Sequence, residues 1–418
     1  MSDRRRVVVT GMGMVTGLGN DVASTWAGLV AGRSAVRTIA SFDPSRLTSR
    51  IAAEVHDLDA SRILDRKEIR RTDRYIQLAL VAAREALDQA GLPAQFEGEL
   101  AERTGVILGT GLGGVGTLTD GFTANILRGP DRISPFLIPM GISNTGAGMI
   151  AIQFGMTGPN FAVVSACATG GHAVGESSEI IRRGDADIMI AGGTEAGIFE
   201  PLVGGFTAMR ALSTRNDDPA AASRPFDTGR DGFVVGEGAG VLVLEGLEHA
   251  EARGATILAE LVGYAATADA SHITLPAPGG IGAVRAARRA LEKAGLSPAD
   301  IDHVNAHATS TSEGDRAELQ AIRTIFGDDA GRVAITANKS MLGHTLGAAG
   351  AIEAIATIMA IREGSVPPTI NLDSPDPEAE GLDLTPNVAA FREIRAALSN
   401  SFGFGGQNTA LIFARFQR

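Results

Sequence analysis

Short apolar runs alternate with stretches of helical periodicity along most of the chain. Apolar runs at 7–9, 105–108, 188–191 and 241–244 predict buried strands, and residues 73–90 show the spacing of an amphipathic helix. A second series follows residue 255, with strands predicted at 258–262, 301–305 and 394–399 and a helix at 281–294 that ends at Gly295. This alternation is typical of an α/β protein. We expect two units, 1–252 and 253–418, although no residue-level repeat relates them.

Composition narrows the class of protein. The net charge of −11 argues against nucleic acid or an anionic membrane as the general partner. No apolar run approaches the length that spans a bilayer, and glycines interrupt the N-terminal run, so 7–9 predicts a strand rather than a leader. The single cysteine excludes an intrachain disulfide and fits a cytoplasmic location.

That cysteine, Cys167, occupies an informative position. The apolar stretch 161–164 predicts a short buried strand before it, and residues 168–183 predict a helix after it that ends at Gly184. A sulfur at a helix N-terminus is favoured as the thiolate, the nucleophilic form of cysteine. The alternative is a small buried apolar residue, as many lone cysteines are.

Two glycine motifs invite a phosphate-binding or dinucleotide-binding interpretation, and both are weak. After Gly11 and Gly13 the third glycine falls at Gly17, one position late for the dinucleotide fingerprint. The run 109–114 lacks the lysine of a phosphate-binding loop, so its glycines predict close backbone packing.

The histidines offer two further candidates. His307 begins a polar loop directly after a predicted strand, and His303 on that strand is about 13 Å away, too far to share a metal ion. We therefore expect His303 to be structural and no metal site. His344 follows Lys339 at the start of a small-residue helix, in a chain whose lysines are 67, 293 and 339 only. Taken singly, each histidine also fits an ordinary hydrogen-bonded loop residue.

Several segments together resemble the 3-oxoacyl-[acyl-carrier-protein] synthases, the elongating β-ketoacyl synthases of the thiolase superfamily. They are VVVTGMGMVTGLGND at 7–21, SACATG at 165–170, STRNDDPAAASRPFDTGRDGFVVGEGAG at 213–240, NAHATST at 305–311, NKSMLGHTLGAAGAIE at 338–353 and NSFGFGGQN at 400–408. The resemblance covers nearly the whole chain. It implies a thiolase-like fold of two similar halves in a layered α-β-α-β-α arrangement, a homodimer, and decarboxylative condensation of an acyl group with malonyl on an acyl carrier protein.

The resemblance also implies roles for the reactive residues. Cys167 would carry the acyl group as a thioester. His307 and His344 would hold the malonyl thioester oxygen as the enolate forms, and Lys339 would tune them with Glu353 as its ion-pair partner. The backbone N–H groups of Cys167 and Phe404 would form an oxyanion hole, and Phe404 would also act as a gate.

Other positions follow from the same resemblance. Thr309 and Thr311 would contact pantetheine, Leu112 would help to set pocket depth, and Asp315 and Glu318 would support the loop that carries His307.

The resemblance also concerns the carrier protein, which is acidic and would need a basic face on this acidic chain. Arg66, Lys67, Arg70, Arg71 and Arg74 lie together at the start of a predicted helix, and we expect docking through Lys67, Arg70 and Arg71. A solvated helix face is the alternative for these charges. No cofactor is expected, because phosphopantetheine arrives on the carrier.

Three alternatives stay open. A ketosynthase subunit of a type II polyketide synthase would run the same chemistry with a chain-length partner subunit. A cysteine hydrolase or simple acyltransferase would use Cys167 with His307 and leave Lys339 and His344 unexplained. A non-catalytic partner subunit would have no need of Cys167 and both histidines.

Overall fold

The computed structural model describes residues 5–417. Its strands are β1 Val7–Thr16, β2 Arg37–Thr38, β3 Ile51–Ala53, β4 Thr104–Gly109, β5 Asn160–Phe161, β6 Ile188–Glu195, β7 Val235–Gly236, β8 Gly238–Gly246, β9 Ala259–Ala268, β10 His303–Asn305, β11 Ala334–Thr336, β12 Ser365–Val366, β13 Ala390–Phe391, β14 Ala396–Gly403 and β15 Gln407–Ala414. Its α-helices are α1 Val22–Val30, α2 Arg66–Ile69, α3 Arg74–Ala90, α4 Gly98–Glu102, α5 Val115–Arg128, α6 Leu137–Gly141, α7 Thr145–Phe154, α8 Thr169–Arg183, α9 Glu200–Ala208, α10 Leu247–Ala252, α11 Ile281–Ala294, α12 Ser312–Phe326, α13 Lys339–Leu342 and α14 Ala349–Glu363.

A mixed sheet of ten strands contains two blocks with the same pairing pattern. The strand order is β11-β10-β14-β15-β9-β1-β8-β6-β4-β5. In the first block β5, β4 and β6 are parallel, and β8 and β1 continue antiparallel. In the second block β11, β10 and β14 are parallel, and β15 and β9 continue antiparallel. The two halves therefore repeat one topology that their sequences do not reveal.

The helices complete a layered arrangement around these two blocks. Within the sheet, the two blocks are hydrogen-bonded where Val8 and Val9 pair with Glu260 and Ala259. Helix α3 packs on β1 and β8, helix α11 packs on β9 and β15, and α8 and α14 pack together between the blocks. Helix α14 is apolar on nearly every face, as a helix enclosed by other elements has to be. The layered α-β-α-β-α fold implied by the resemblance is confirmed, whereas the division near residue 252 stays a prediction.

Strand β1 shows why the first glycine motif binds no dinucleotide. All ten of its residues are buried, and Gly11 and Gly13 lie within the strand rather than in a loop after it. A Cβ atom at either glycine would overlap backbone oxygens of α3, at Ala86 and Ala82. The motif therefore serves close packing of a helix on a strand.

The segment before Cys167 departs from the predicted buried strand. Only Asn160 and Phe161 form β5, at the edge of the sheet, and the Phe161 and Val164 side chains are 43% and 54% exposed. The prediction was wrong because apolar composition alone does not distinguish a strand buried inside the subunit from an apolar segment that stays exposed at the edge of the sheet. Within residues 5–417, no helix combines the length and apolarity needed to cross a membrane.

Candidate active site

One cavity of about 740 Å³ collects the reactive residues predicted from separate segments. It is lined by Cys167, His307, His344 and Phe404, which come from four loops or turns on both halves of the fold. Leu112, Thr309 and Thr311 line the same cavity. Because the cavity draws on both blocks of the sheet, neither half alone contains the site.

Cys167 lies in a 3-10 turn, Ala166–Ala168, directly before α8 begins at Thr169. The preceding Ala166 has a φ of 50°, a left-handed conformation that is rare outside glycine and that turns the chain sharply. The backbone of Gly403 approaches this turn so closely that a Cβ atom there would lie 2.6 Å from Ser165 O and 3.1 Å from Cys167 N. A glycine at 403 is therefore required to bring the 403–406 loop against the nucleophile.

The protonation state of Cys167 differs from the sequence-based expectation. Burial raises the pKa of the thiol to about 12, although the charge of Lys339 and the backbone N–H groups of Phe404 and Cys167 act in the opposite direction. The expectation of a favoured thiolate was wrong because loss of water around the sulfur outweighs the helix terminus. The same N–H groups, of Cys167 and Phe404, are close enough to the sulfur to serve as an oxyanion hole for an acyl group carried there.

The two histidines face each other across the cavity. Their ring centroids lie 5.5 Å apart with the planes at 86°, and Phe233 packs edge-on against His344. Burial, reinforced by the nearby charge of Lys339, holds the pKa of His307 and of His344 well below the usual range for histidine. Both imidazoles are therefore neutral near pH 7. In the part of the chain that the structure describes, neither ring nitrogen of His344 has a hydrogen-bond partner, nor does Nδ1 of His307.

Lys339 lies behind the histidines and is almost fully buried. Its Nζ donates to His307 O at 2.6 Å and forms an ion pair with Glu353, the partner expected for it. Burial raises the pKa of Glu353 to about 7, and the adjacent lysine acts against that rise. Lys339 thus both holds the His307 backbone and places a positive charge beside two imidazoles, which keeps them neutral.

Two buried carboxylates fix the loop after β10. Glu318 accepts hydrogen bonds from the N–H groups of His307 and Ala308 at 2.8 and 2.7 Å, and burial raises its pKa to about 7. Asp315 accepts from Ser310 N at 3.1 Å, and burial raises its pKa to about 6.

The two threonines of this loop also line the cavity. The hydroxyls of Thr309 and Thr311 lie 3.1 Å apart on the cavity wall. His303, by contrast, is buried and donates from Nδ1 to Ala334 O at 2.9 Å, so it is structural as expected. Among the described residues, 5 to 417, no cluster of three or more histidine, cysteine, aspartate or glutamate side chains could hold a metal ion.

The basic cluster near the start of α3 is divided between two helices rather than placed on one. Lys67 belongs to the short α2, Arg70 and Arg71 follow it, and all three are exposed. Arg74 begins α3 and forms a bidentate ion pair with the buried Glu237 at 2.7 and 2.8 Å, so its charge is already paired. Lys67, Arg70 and Arg71 therefore lie on the surface, with the Arg71 guanidinium 5.0 Å from the centre of the Phe136 ring.

Sequence reasoning missed Glu195 in the cavity wall. This glutamate ends the otherwise apolar strand β6 and is fully buried. A charged residue at the end of a buried strand, shortly after two glycines, was the available signal. Phe402, which stacks at 5.4 Å on His307, and Asn400, which donates to Glu318 at 3.3 Å, were missed as well.

Comparison with known proteins matches both halves of the chain. Residues 4–250 match the model of the β-ketoacyl synthase N-terminal domain, and residues 258–373 match that of the β-ketoacyl synthase C-terminal domain. The 3-oxoacyl-[acyl-carrier-protein] synthase 2 of a Synechocystis species is 49% identical over 416 residues, covering 99% of each chain.

Solved structures agree with this relationship. A β-ketoacyl synthase from Burkholderia phymatum is 39% identical with a TM-score of 0.92, covering 99% of this chain and 100% of its own. A ketosynthase solved with its type II PKS acyl-carrier protein is 35% identical with a TM-score of 0.90, at the same coverage.

Proposed function

The chain belongs to the β-ketoacyl synthase family, and from this premise we propose that it is a 3-oxoacyl-[acyl-carrier-protein] synthase of type 2 that elongates fatty acids. It takes an acyl group from one acyl carrier protein and condenses it with malonyl on another, releasing CO2 and free carrier. The observation that carries this proposal is the pair of neutral histidines that line the same cavity as Cys167. Among the described residues, neither ring nitrogen of His344 nor Nδ1 of His307 has a hydrogen-bond partner.

Acyl transfer to the enzyme comes first. The Cys167 sulfur attacks the acyl thioester, its bond to the acyl carbon forms, and the bond to the pantetheine sulfur breaks. Since the resting thiol is protonated, its proton has to leave as the bond forms, and it ends on the departing pantetheine sulfur. The N–H groups of Cys167 and Phe404 stabilise the oxyanion of the tetrahedral intermediate.

Condensation follows when malonyl on its carrier occupies the emptied cavity. His307 and His344 each donate one N–H to the malonyl thioester oxygen, so the electron pair left by the departing CO2 is held as an enolate. The enolate carbon attacks the acyl carbonyl, and the bond to Cys167 breaks. The released thiolate takes up one proton from water, which restores the thiol. No bound cofactor is needed, because the broken carbon–carbon bond supplies the electron pair.

Neutral imidazoles suit this step. Each donates a hydrogen bond without giving up its proton, whereas an imidazolium near the enolate could protonate and quench it. The Lys339 charge, placed beside the rings but bound to Glu353, favours the neutral form. The arrangement therefore suits an enolate that must stay unprotonated until its carbon attacks the acyl carbonyl.

The decisive experiment measures CO2 release and 3-oxoacyl product with malonyl-carrier protein, with and without a primed acyl carrier, for the wild type and for Cys167→Gln. We expect the wild type to release CO2 and form product, and the variant to release CO2 without condensing. A wild type that loses acyl groups to water and never consumes malonyl would be a hydrolase, and the proposal would fail.

A polyketide ketosynthase is the second candidate, because the type II PKS relative shares the whole fold at 35% identity. The higher identity to the synthase 2 relatives favours fatty acid elongation. Product analysis separates the two, since a polyketide enzyme would extend without reduction to a poly-β-keto chain and would require a second, chain-length subunit.

Carrier docking is assigned to the exposed Lys67, Arg70 and Arg71. Charge reversal at all three should raise the apparent KM for acyl carrier protein at least tenfold at low salt, about 1.4 kcal/mol, and the effect should shrink as salt rises. The matched control reverses the exposed Arg288, Arg289 and Lys293 on α11, which alters the net charge equally. Equal effects of the two triple variants would contradict the assignment.

The enzyme is a homodimer in this proposal, with a second copy covering the β5 edge. Supporting this are an open strand edge and exposed apolar side chains on and near it, including Phe161 and Val164. Sedimentation should give twice the chain mass, and Phe161→Asp should shift the protein toward the monomer. A wild-type monomer at micromolar concentration would contradict it. We also propose a cytoplasmic location, because a lone reactive thiol suits a reducing compartment.

A further inference from the structure

Glu195 is a buried charge that the proposed reaction does not use. It ends β6, is 0% exposed, and its side chain forms part of the cavity wall that also contains Cys167. Burial of an ionised carboxylate is costly unless hydrogen bonds compensate it. Its partners therefore indicate what it does.

Four donors from two distant segments converge on this one carboxylate. Oε1 accepts from Thr110 Oγ1 at 2.8 Å and from Leu112 N at 3.3 Å. Oε2 accepts from Gly111 N at 2.7 Å and from Gly347 N at 2.9 Å. The carboxylate thus bridges the loop after β4 and the turn before α14.

Each of these segments carries a part of the proposed site. Leu112 in the first segment lines the cavity. The second segment, the 3-10 turn Leu346–Ala348, begins two residues after His344. Its Leu346 has a φ of 49°, a strained conformation that persists only where the surroundings hold it. A Cβ atom at Gly111 or at Gly347 would lie 2.7 Å from Glu195 Oε2, so both backbones approach the carboxylate as closely as glycine allows.

We propose that Glu195 is a positioning residue for the condensation, which fixes the Leu112 loop and the turn after His344 against one carboxylate. The place of the acyl chain and the place of an enolate-stabilising histidine are then set together, relative to Cys167. This inference rests on the proposed function and deepens it.

Glutamine cannot replace this carboxylate. An amide has one oxygen that accepts and one nitrogen that donates. In Glu195→Gln the amide NH2 group would therefore face two of the four groups that now donate to the carboxylate. Aspartate keeps the charge but is one carbon shorter, and cannot reach both segments. Comparison of the two variants therefore separates the effect of the negative charge at position 195 from the effect of side-chain length.

A second readout follows from the charge itself. Glu195 and Lys339 are the charged side chains that act on the Cys167 thiol, and the carboxylate disfavours the thiolate. Removing its charge should lower the pH midpoint of Cys167 alkylation by iodoacetamide. Glu195→Asp, which keeps the charge, should leave this midpoint unchanged.

The experiment compares Glu195→Gln and Glu195→Asp with Glu85→Gln. Glu85 on α3 is a matched control, because it also accepts two backbone N–H groups, from Met14 and Val22 at 2.9 and 2.8 Å, and does not line the cavity. For the glutamine variant of Glu195 we expect kcat for condensation to fall about 10- to 100-fold with little change in KM for carrier, and the alkylation midpoint to fall. For the aspartate variant we expect a similar loss in kcat for condensation, with the pH midpoint of Cys167 alkylation unchanged. The control should leave both readouts at wild-type values.

A folded Glu195→Gln protein with kcat within twofold of the wild type would overturn the proposal. If neither Glu195 variant folds, Thr110→Val decides, because it removes at nearly constant volume the hydroxyl that donates to Glu195 and accepts from Gly113 N at 3.2 Å. Thr110→Val should lower kcat several-fold, and Thr110→Ser, which keeps the hydroxyl, should restore most of that loss. Equal kcat in Thr110→Val and Thr110→Ser would overturn the proposal. A wild type that shows no malonyl-dependent CO2 release would instead defeat the proposed function.

Discussion

Substitution of Lys339 by methionine should separate the structural from the chemical role of the buried ion pair. Lys339 and Glu353 each expose only 2% of the side chain, so the pair has almost no water to replace a lost partner. Removal of one partner from such a pair costs about 3 to 5 kcal/mol, because the other charge stays buried and uncompensated. We expect Lys339→Met to lower the free energy of unfolding by this amount.

The double variant Lys339→Met with Glu353→Met tests whether an uncompensated buried charge causes this loss of stability. Two apolar side chains of similar volume leave no buried charge, so the free energy of unfolding should return to within about 1 kcal/mol of the wild type. Condensation should not return. His307 loses the donor that holds its carbonyl at 2.6 Å and both imidazoles lose the neighbouring charge, so kcat should stay about 10- to 100-fold low.

Urea unfolding followed by circular dichroism, at one fixed protein concentration, measures stability, and CO2 release with 3-oxoacyl product measures catalysis. Lys293→Met, on an exposed lysine, is the control and should match the wild type in both. A double variant that condenses at the wild-type rate would refute the catalytic role of Lys339. A double variant as unstable as the single one would refute the argument from the uncompensated charge.

Three further predictions concern other parts of the site. Gly403→Ala should lower acyl transfer to Cys167 about 10²- to 10³-fold, because the added methyl forces the Phe404 N–H away from the nucleophile; radiolabel transfer from acyl carrier measures this, and unchanged labelling would contradict it. Glu318 has its pKa raised from 4.5 to about 7, so the native state binds a proton that the unfolded chain releases, and stability falls as pH rises through this window by about 3 kcal/mol from this group. That part of the pH slope should vanish in Glu318→Gln, and equal slopes for both proteins in urea unfolding would show the pKa argument to be mistaken. Leu112→Phe should narrow the cavity and lower kcat/KM for long acyl chains more than for short ones, whereas an unchanged chain-length profile would remove Leu112 from the acyl pocket.

Much of the site could be predicted from the sequence. Cys167, His307 and His344 stand in motifs that follow strands or begin helices, and the fold brings all three to one cavity. The Lys339 and Glu353 pair followed from the resemblance to the β-ketoacyl synthases, and the structure shows it as a buried ion pair. Residues that carry a charge or a nucleophile into an apolar setting are conspicuous in sequence.

What escaped prediction depends on contacts across the chain. The position of Glu195 at the end of an apolar strand was visible in the sequence, but its role depends on Thr110, Gly111 and Gly347, remote in sequence, which surround its two oxygens. The stretch 161–164 looks like a core strand in sequence, because apolar composition does not distinguish a buried strand from an exposed segment at the edge of a sheet.

The sequence by itself determined the alternation of strands and helices, the identity of the nucleophile and the histidines, and the family. These features depend on local periodicity and on motifs within a few residues of one another. Only the tertiary structure decided that two halves without visible sequence similarity share one strand pairing, that burial raises the pKa of the Cys167 thiol, and that Glu195 joins the Leu112 loop to the turn after His344. Burial and hydrogen bonding are set by groups that approach from distant segments, so the environment of each charge exists only once the chain has folded.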